Sequence, residues 1–247
     1  MTRLSDKQPE HWSRLIGVEF SPVSHRERLV SALGGLVGML GVYAASHALL
    51  DGTGAQFLTL SIGASIVLLF AVPHGALSQP WPLVGGHLIS AVVGVACARL
   101  IPDPLLASGA ALGLAIGAMH YARCIHPPGG ATALTAVLGG AQVHALGFGF
   151  VVAPVLVNVL IVLALAVGFN AFFAWRRYPA HLAGRSAETA PVVDVYGPIS
   201  HEDFVFALTQ MDSFVDVSEE DLLRIYALAT GRHRAVQARA GAPSPRG

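Results

Sequence analysis

The feature that most constrains this chain is a run of prolines and glycines inside apolar sequence, HPPGGAT at residues 126–132. Two consecutive prolines remove two backbone N–H donors and clash with the preceding helical turn. The glycine pair that follows accepts almost any backbone angle. The run therefore predicts a break in a helix. A break at membrane depth needs polar surroundings, because lipid cannot satisfy free backbone groups.

The distribution of charge indicates an integral membrane protein. The 247-residue chain is 53% hydrophobic and only 12% charged, about half the charged share of an average soluble domain. Long apolar runs of this kind are typical of membrane spans, so the lipid bilayer is the expected environment. The net charge is zero, and we predict no nucleic-acid partner. Within residues 29–175 the only acidic or basic residues other than histidine are Asp51, Arg99, Asp103 and Arg123.

The hydrophobic pattern predicts an all-α protein, a polytopic transmembrane helix bundle with two proline- and glycine-broken segments and a small cytoplasmic helical tail. We expect a cytoplasmic N-terminal segment at 1–28, a transmembrane domain at 29–178, and a tail at 179–247 with a helical hairpin and a disordered end. The apolar stretches within the domain are 29–50, 56–72, 85–100, 105–122, 131–145 and 148–175.

Basic residues flank the first and last apolar stretches, namely Arg26 and Arg28 before and Arg176 and Arg177 after. The positive-inside rule places both ends in the cytoplasm and requires an even number of crossings. Six crossings fit if residues 131–145 span the membrane, and four fit if the pieces around the breaks are re-entrant. Both alternatives stay open at this point.

A second break precedes the third apolar stretch, at residues 79–82 with the sequence QPWP. The sequence after it, residues 85–94, resembles residues 129–139 with one inserted residue. Paired interrupted segments point to the binding site of a transporter. We expect one helix to begin at Gly85 and another at Gly129.

Helix starts of this kind favour a small anion. Free N–H groups in the first turn and the helix dipole attract negative charge, and glycines allow close approach to the backbone. No Asp or Glu lies near either break, so a hard-cation site lacks its usual ligands. The predicted substrate-binding residues are Gln79, Gly85, Gly86, His87, Arg123, His126, Gly129, Gly130 and Thr132.

Each candidate also has a purely structural interpretation. Arg123 can mark the end of a span and extend to the headgroups, and the glycines can serve close helix packing. His126 is expected to line the pathway, to gate it with pH, or only to pack. Apolar sequence holds five histidines without metal-ligand spacing or a carboxylate, so no metal site is predicted and a metal transporter is the weakest hypothesis. These are His74, His87, His120, His126 and His144.

Other features of the sequence bear on further classes of function and on oligomeric state. No nucleophile–base pairing or G-x-S-x-G motif is present, so we predict no catalytic residue, no cofactor and no enzyme. The glycines at 34, 35, 38 and 41 permit close association of helices and hence a homo-oligomer. The tail, 185–247, carries nine of the fifteen acidic residues. It motivates an alternative function, a membrane-anchored sensor or regulatory protein that signals through this tail.

The two breaks resemble the HPP family of integral membrane proteins. HPPGGATA at 126–133 matches the motif that names the family, QPWPLVGGH at 79–87 matches its companion motif, and the similarity covers about residues 25–180. The resemblance implies about four transmembrane segments. Some plant-plastid and cyanobacterial relatives are associated with nitrite transport, so it implies a transporter or channel for nitrite or a similar small inorganic anion. We expect this protein in the bacterial inner membrane. Other relatives carry paired CBS domains, for which this tail is too short.

Overall fold

The computed structural model describes residues 24–50 and 52–182. Those residues form helices and connecting turns without a strand, which confirms the all-α class. The predicted N-terminal segment, Asp51 and the predicted tail beyond residue 182 lie outside the described residues. The helices, in chain order, are α1 (His25–Leu49), α2 (Gly52–Ala71), α3 (Pro80–Leu100), α4 (Pro104–Tyr121), α5 (Pro127–Leu138), α6 (Ala141–Leu146), a π-helical segment (Val151–Leu156) and α7 (Val157–Ala171).

Five helical stretches in the described part of the chain are long and apolar enough to cross a membrane. They are α1, α2, α3, α4 and the stretch formed by the π-helical segment with α7, which is kinked at Ala153 (φ −129°, ψ 115°). Proline is compatible with the first helical turn, where a backbone N–H has no helical partner. For that reason α3 begins at Pro80, five residues before the predicted start at Gly85, and α5 begins at Pro127, two residues before the predicted start at Gly129. The predicted 131–145 helix is two helices, separated at Gly140, whose φ is +85°.

The two ends of the described chain meet at one face of the bundle, termed the near face. The Arg176 guanidinium, which follows α7, forms an ion pair with Glu27 in the first turn of α1. It also donates to the carbonyl of Phe70 at the end of α2. Burial lowers the pKa of Arg176, whereas Glu27 raises it and favours the charged form. Since both ends of the described chain lie at the same face, residues 24–182 cross between the two faces an even number of times.

Helix α5 is shorter than the five long stretches and covers only part of the distance between the two faces of the bundle. Its 12 residues extend about 18 Å, compared with about 30 Å for the hydrocarbon core of a bilayer. It begins against Gly86, which lies about 9 Å along α3 from the near face. At its other end, Gly139 approaches Gly54 at the start of α2. The chain therefore turns back into the bundle after α4, and α5 continues to the opposite face, termed the far face.

The glycines on α1 pack inside the bundle. A methyl group added at Gly38 would lie 2.8 Å from the Phe70 ring, and one at Gly41 would lie 2.6 Å from Leu165. Gly34 also faces Phe70, and only Gly35 has open space beside it. These four glycines were predicted to permit association between copies of the chain. Three of them instead allow close packing of α1 against α2 and α7 of the same chain.

Arg176 is expected to stabilise the contacts between the ends of α1, α2 and α7 at the near face. Its side chain is 1% exposed and that of Glu27 is 22% exposed. Arg176→Gln leaves the Glu27 carboxylate and the Phe70 carbonyl without their charged donor. Breaking a buried ion pair costs about 3–5 kcal/mol, and we expect about 3 kcal/mol because Glu27 is partly exposed. The unfolding midpoint in detergent, followed by tryptophan fluorescence, measures the loss. The exposed neighbour supplies the control, Arg177→Gln, and equal midpoints for the two variants would contradict the assignment.

Candidate functional site

The two predicted breaks meet at a contact between backbones. A Cβ added at Gly86 on α3 would lie 2.5 Å from the His126 Cβ, and one at Gly129 would lie 2.7 Å from the Gly86 carbonyl oxygen. Farther along, a Cβ at Gly94 would lie 2.5 Å from the Ala133 carbonyl oxygen. Only glycine permits this approach. The contact between α3 and α5 is termed the seam, and it is closed along these positions.

The start of α5 does not offer a row of free amides. Pro127 and Pro128 have no N–H, and the Gly129 N–H donates to the His126 carbonyl at 2.8 Å. The prediction that a helix begins at Gly129 with exposed amides is therefore wrong. Gly129 packs against α3 instead, and Gly130 faces the Leu112 side chain on α4.

The start of α3 likewise differs from the prediction. Prolines occupy its first and third positions, 80 and 82, and Gly85 and Gly86 lie inside the helix. Their N–H groups belong to the helical ladder, so the prediction that a helix begins at Gly85 is wrong. Gly85 packs against Cys124, where an added Cβ would lie 3.0 Å from the Cys124 Cβ.

Buried polar side chains form a hydrogen-bonded series beside the seam. The Ser65 hydroxyl on α2 lies 2.8 Å from Nε2 of His87 and 2.8 Å from Nε2 of His126. His87 Nδ1 lies 2.7 Å from the Thr132 hydroxyl, which is 2.6 Å from the Ser61 hydroxyl. All five side chains are buried. This set, Ser61, Ser65, His87, His126 and Thr132, is termed the His–Ser chain.

A backbone carbonyl closes each end of the His–Ser chain. At one end His126 Nδ1 donates to the Leu77 carbonyl oxygen at 2.9 Å. At the other end the Ser61 hydroxyl donates to the Pro128 carbonyl oxygen at 2.9 Å. Leu77 also lines a surface crevice, so one end of the buried chain lies at the wall of an open space.

The crevice at the near face contains two basic side chains. Its volume is about 280 Å³, and its lining has no carboxylate. Arg123 and His120 are exposed, and within the described residues the Arg123 side chain makes no ion pair or hydrogen bond. The lining residues of this near crevice are Ala76, Leu77, Pro82, His120, Arg123 and Ile125.

Arg123 occupies a backbone position that favours glycine. Its φ is +54°, and it follows α4 in a helix-ending motif in which the Cys124 N–H donates to the Met119 carbonyl and the Arg123 N–H to the His120 carbonyl. A left-handed conformation costs a non-glycine residue about 1–2 kcal/mol. The position therefore carries a charged side chain at a cost to backbone stability.

A second, smaller crevice lies at the far face. Its volume is about 120 Å³, and it too pairs an arginine with a histidine and has no carboxylate in its lining. The His144 ring makes a hydrogen bond of 2.8 Å with the Val137 carbonyl oxygen, and Arg99 lies over the Phe148 ring. The lining residues of this far crevice are Val95, Ala98, Arg99, Ala136, Val143, His144 and Gly147.

The predicted site residues thus separate into four places. Arg123 faces the near crevice, the four glycines lie in or beside the seam, and His87, His126 and Thr132 belong to the His–Ser chain. Gln79 lies in the loop before α3. Its amide nitrogen donates to the carbonyls of Pro73 and Gly75, and its oxygen accepts from the Ala180 N–H. Its donors are therefore already used within the protein.

Sequence reasoning missed four residues that the structure adds: Ser61, Ser65, Arg99 and His144. Ser61 and Ser65 are four residues apart in an apolar span, and that spacing places both on one helix face, which was an available signal. Arg99 and His144 stand out in the sequence as a charge and a histidine within apolar stretches, but only the fold brings the end of α3 to α6. No group of three or more His, Cys, Asp or Glu side chains that could hold a metal ion occurs in the described ranges.

The family model described as "HPP, transmembrane region" matches residues 20–179. The chain belongs to the HPP family. The match includes both broken segments, the seam and both crevices. It confirms the resemblance inferred from the HPPGGATA and QPWPLVGGH motifs, and with the apolar helices it identifies an integral membrane protein.

Two curated relatives extend the comparison, both described only as transmembrane proteins of Dictyostelium discoideum. One is 41% identical over 130 residues, which cover 51% of this chain and 45% of the relative. The other is 42% identical over 127 residues, which cover 50% of this chain and 40% of the relative. The chain thus spans less than half the length of these relatives. No solved structure matches the chain.

The seam of this HPP-family fold is expected to tolerate no side chain at Gly86. Gly86→Ala places a methyl group against His126 and within 3.0 Å of the Cys124 carbonyl oxygen. Overpacking of this kind costs about 1–3 kcal/mol. The matched control is Gly113→Ala on α4, where nothing lies within 4 Å and alanine favours the helix. The unfolding midpoint in detergent is measured for both variants. A Gly86→Ala midpoint equal to that of the wild type would contradict the close contact between α3 and His126.

Proposed function

We propose that this HPP-family protein is a transporter or channel for a small inorganic anion, with nitrite as the leading substrate. The observation that carries the proposal is the pair of crevices at opposite ends of α3, each with one arginine, one histidine and no carboxylate in its lining. An unpaired guanidinium at an entrance attracts an anion and repels a cation. The proposal gives the chain no catalytic step.

The two crevices have the spacing expected of two entrances. Pro82 in the near crevice and Arg99 in the far crevice are 17 residues apart on α3, which corresponds to about 25 Å along the helix. That distance approaches the hydrocarbon thickness of a bilayer, about 30 Å. The α3–α5 seam connects the two, and its closed packing supports a gated pathway rather than a permanently open pore.

The choice of nitrite rests on the family resemblance. The crevices themselves favour any small anion that a guanidinium can bind, because Arg presents planar, paired donors suited to two oxygens. Guanidinium groups rather than backbone amides are then the main ligands, because each helix start has two prolines, which lack an N–H. For the proposed location in a bacterial inner membrane, the orientation with both ends in the cytoplasm is supported by Arg26, Arg28, Arg176 and Arg177 beside the near face.

Two further expectations stay predictions. The sensor hypothesis depends on the acidic tail, which lies outside the described residues. Association between copies is not supported by the α1 glycines, but α4 has open space beside Gly109, Gly113 and Gly117.

Arg123→Gly tests the proposal because it separates stability from transport. Glycine relieves the left-handed backbone at this position, so the unfolding midpoint is expected to equal or exceed that of the wild type. Loss of the guanidinium is expected to raise the nitrite concentration for half-maximal flux about tenfold, which corresponds to about 1.4 kcal/mol of lost attraction. Nitrite uptake into proteoliposomes measures the flux.

The matched control for Arg123→Gly is Arg177→Gly, an exposed arginine at the same face that lines neither crevice. Its flux is expected to equal that of the wild type. Equal flux for Arg123→Gly and the wild type would remove Arg123 from the pathway. Wild-type flux no greater than that of protein-free vesicles, for nitrite and for other small anions, would overturn the proposed function.

A further inference from the structure

We propose that the His–Ser chain is a proton-binding site that takes up one proton, shared between His87 and His126. The chain contains six hydrogen bonds in series between the Leu77 and Pro128 carbonyl oxygens. Each bond requires one hydrogen. Both terminal groups are carbonyls, which can only accept.

The neutral chain is one hydrogen short. A neutral imidazole has one N–H and a hydroxyl has one O–H, so two imidazoles and three hydroxyls supply five hydrogens for the six bonds. At least one contact in the series is then a pair of acceptors without a proton between them. One additional proton, which converts one imidazole to imidazolium, satisfies every bond at once.

The protonated chain has a single consistent direction on each side of the charge. With imidazolium at His126, the ring donates to Leu77 and to Ser65, and Ser65 donates to His87 Nε2. His87 then donates through Nδ1 to Thr132, Thr132 to Ser61, and Ser61 to Pro128. This ordering uses every contact at its observed distance, 2.6–2.9 Å.

The charge can move between the rings without a net change in protons. The His126 Nε2–H bond breaks as that proton passes to the Ser65 oxygen. The original Ser65 O–H bond breaks as its proton passes to His87 Nε2. The ring centroids are 5.0 Å apart, and the one hydroxyl between them contacts both Nε2 atoms. Ser65 is therefore the relay, and imidazolium at His87 satisfies the same six bonds.

Among residues 24–50 and 52–182, no carboxylate hydrogen-bonds to the His–Ser chain. Helix α2 contributes the two serines, α3 contributes His87, and α5 with the turn before it contributes His126 and Thr132. The Cys124 thiol packs against Gly85 nearby. Helix α4 contributes Met119, which receives the Ser90 hydroxyl. Beyond Leu77 lie Arg123 and His120 in the near crevice.

Proton binding and anion binding should therefore favour each other, an inference that rests on the proposed function. Positive charge on Arg123 disfavours a second positive charge across the wall at Leu77, and an anion beside Arg123 removes that penalty. By reciprocity, a proton on the chain strengthens anion binding by the same factor. The expected transport mode is uptake of a monovalent anion together with one proton.

The proton site is tested by solid-state NMR of ¹⁵N-histidine in the full chain in lipid bilayers, titrated from about pH 8 to about pH 5. Signals are assigned with His87→Gln and His126→Gln. In the wild type, His126 Nδ1 is expected to stay protonated throughout. The two rings are expected to gain one proton together and to change over the same pH range.

Ser61→Ala is the decisive variant. It removes the link to Pro128, so four bonds remain for four hydrogens and the shortage disappears. We expect no proton uptake in this range and a fixed His87 tautomer with hydrogen on Nε2. The matched control is Thr59→Val on the same helix, whose buried hydroxyl has no hydrogen-bond partner among the described residues. It is expected to titrate like the wild type.

Either of two results would overturn the proton site: two neutral rings in the wild type down to about pH 5, or the same proton uptake in Ser61→Ala as in the wild type. Neither readout requires anion flux, so they stand even if the proposed function fails. Coupling is tested separately with a pH-sensitive dye inside nitrite-transporting vesicles. One proton per nitrite above the protein-free background supports coupling, and nitrite flux without protons overturns it.

Discussion

The start of a helix inside the apolar layer is the constraint on which the rest of the structure depends. Helix α5 begins about 9 Å below the near face, where lipid supplies no hydrogen bonds. Pro127 and Pro128 remove two donors that would otherwise need partners, and the third N–H bonds to the His126 carbonyl. Glycines at 86 and 129 let α3 cover this start closely. The motif thus makes an interrupted helix tolerable at depth.

The same constraint explains why polar side chains gather there. The chain must turn inward after α4 to reach Pro127, and the turn brings His126 beside α2 and α3. A buried imidazole has two nitrogens to satisfy, and its partners are the Leu77 carbonyl and Ser65. A buried polar group without a partner is costly, so each added group recruits another until a backbone carbonyl ends the series.

The sequence predicted the class of fold and the positions of both breaks, because charge depletion and proline act locally. It did not predict the division of residues 131–145 into two short helices, since that depends on the turn at Gly140. It also singled out His87, His126 and Thr132 before their contacts were known. The predicted starts of α3 and α5 were wrong because proline was taken to end a helix, although it is also compatible with the first helical turn. Ser61, Ser65, Arg99 and His144 escaped because their importance depends on which helices become neighbours. For the α5 glycines the sequence left two interpretations open, exposed amides and close packing, and Gly129 and Gly130 pack against α3 and α4.

The composition of this site is unusual for a purely structural core, and the proposed transport function accounts for it. A core held only for stability is better served by apolar side chains, since a partly satisfied polar network is worse than none. The His–Ser chain lacks one hydrogen in its neutral state. Arg123 adopts a left-handed backbone conformation beside a crevice whose lining has no carboxylate. Both features weaken the fold in isolation. Under the proposals made above, a proton on the His–Ser chain and an anion beside Arg123 would offset both costs. Sites that bind a ligand transiently commonly carry strain of this kind when the ligand is absent.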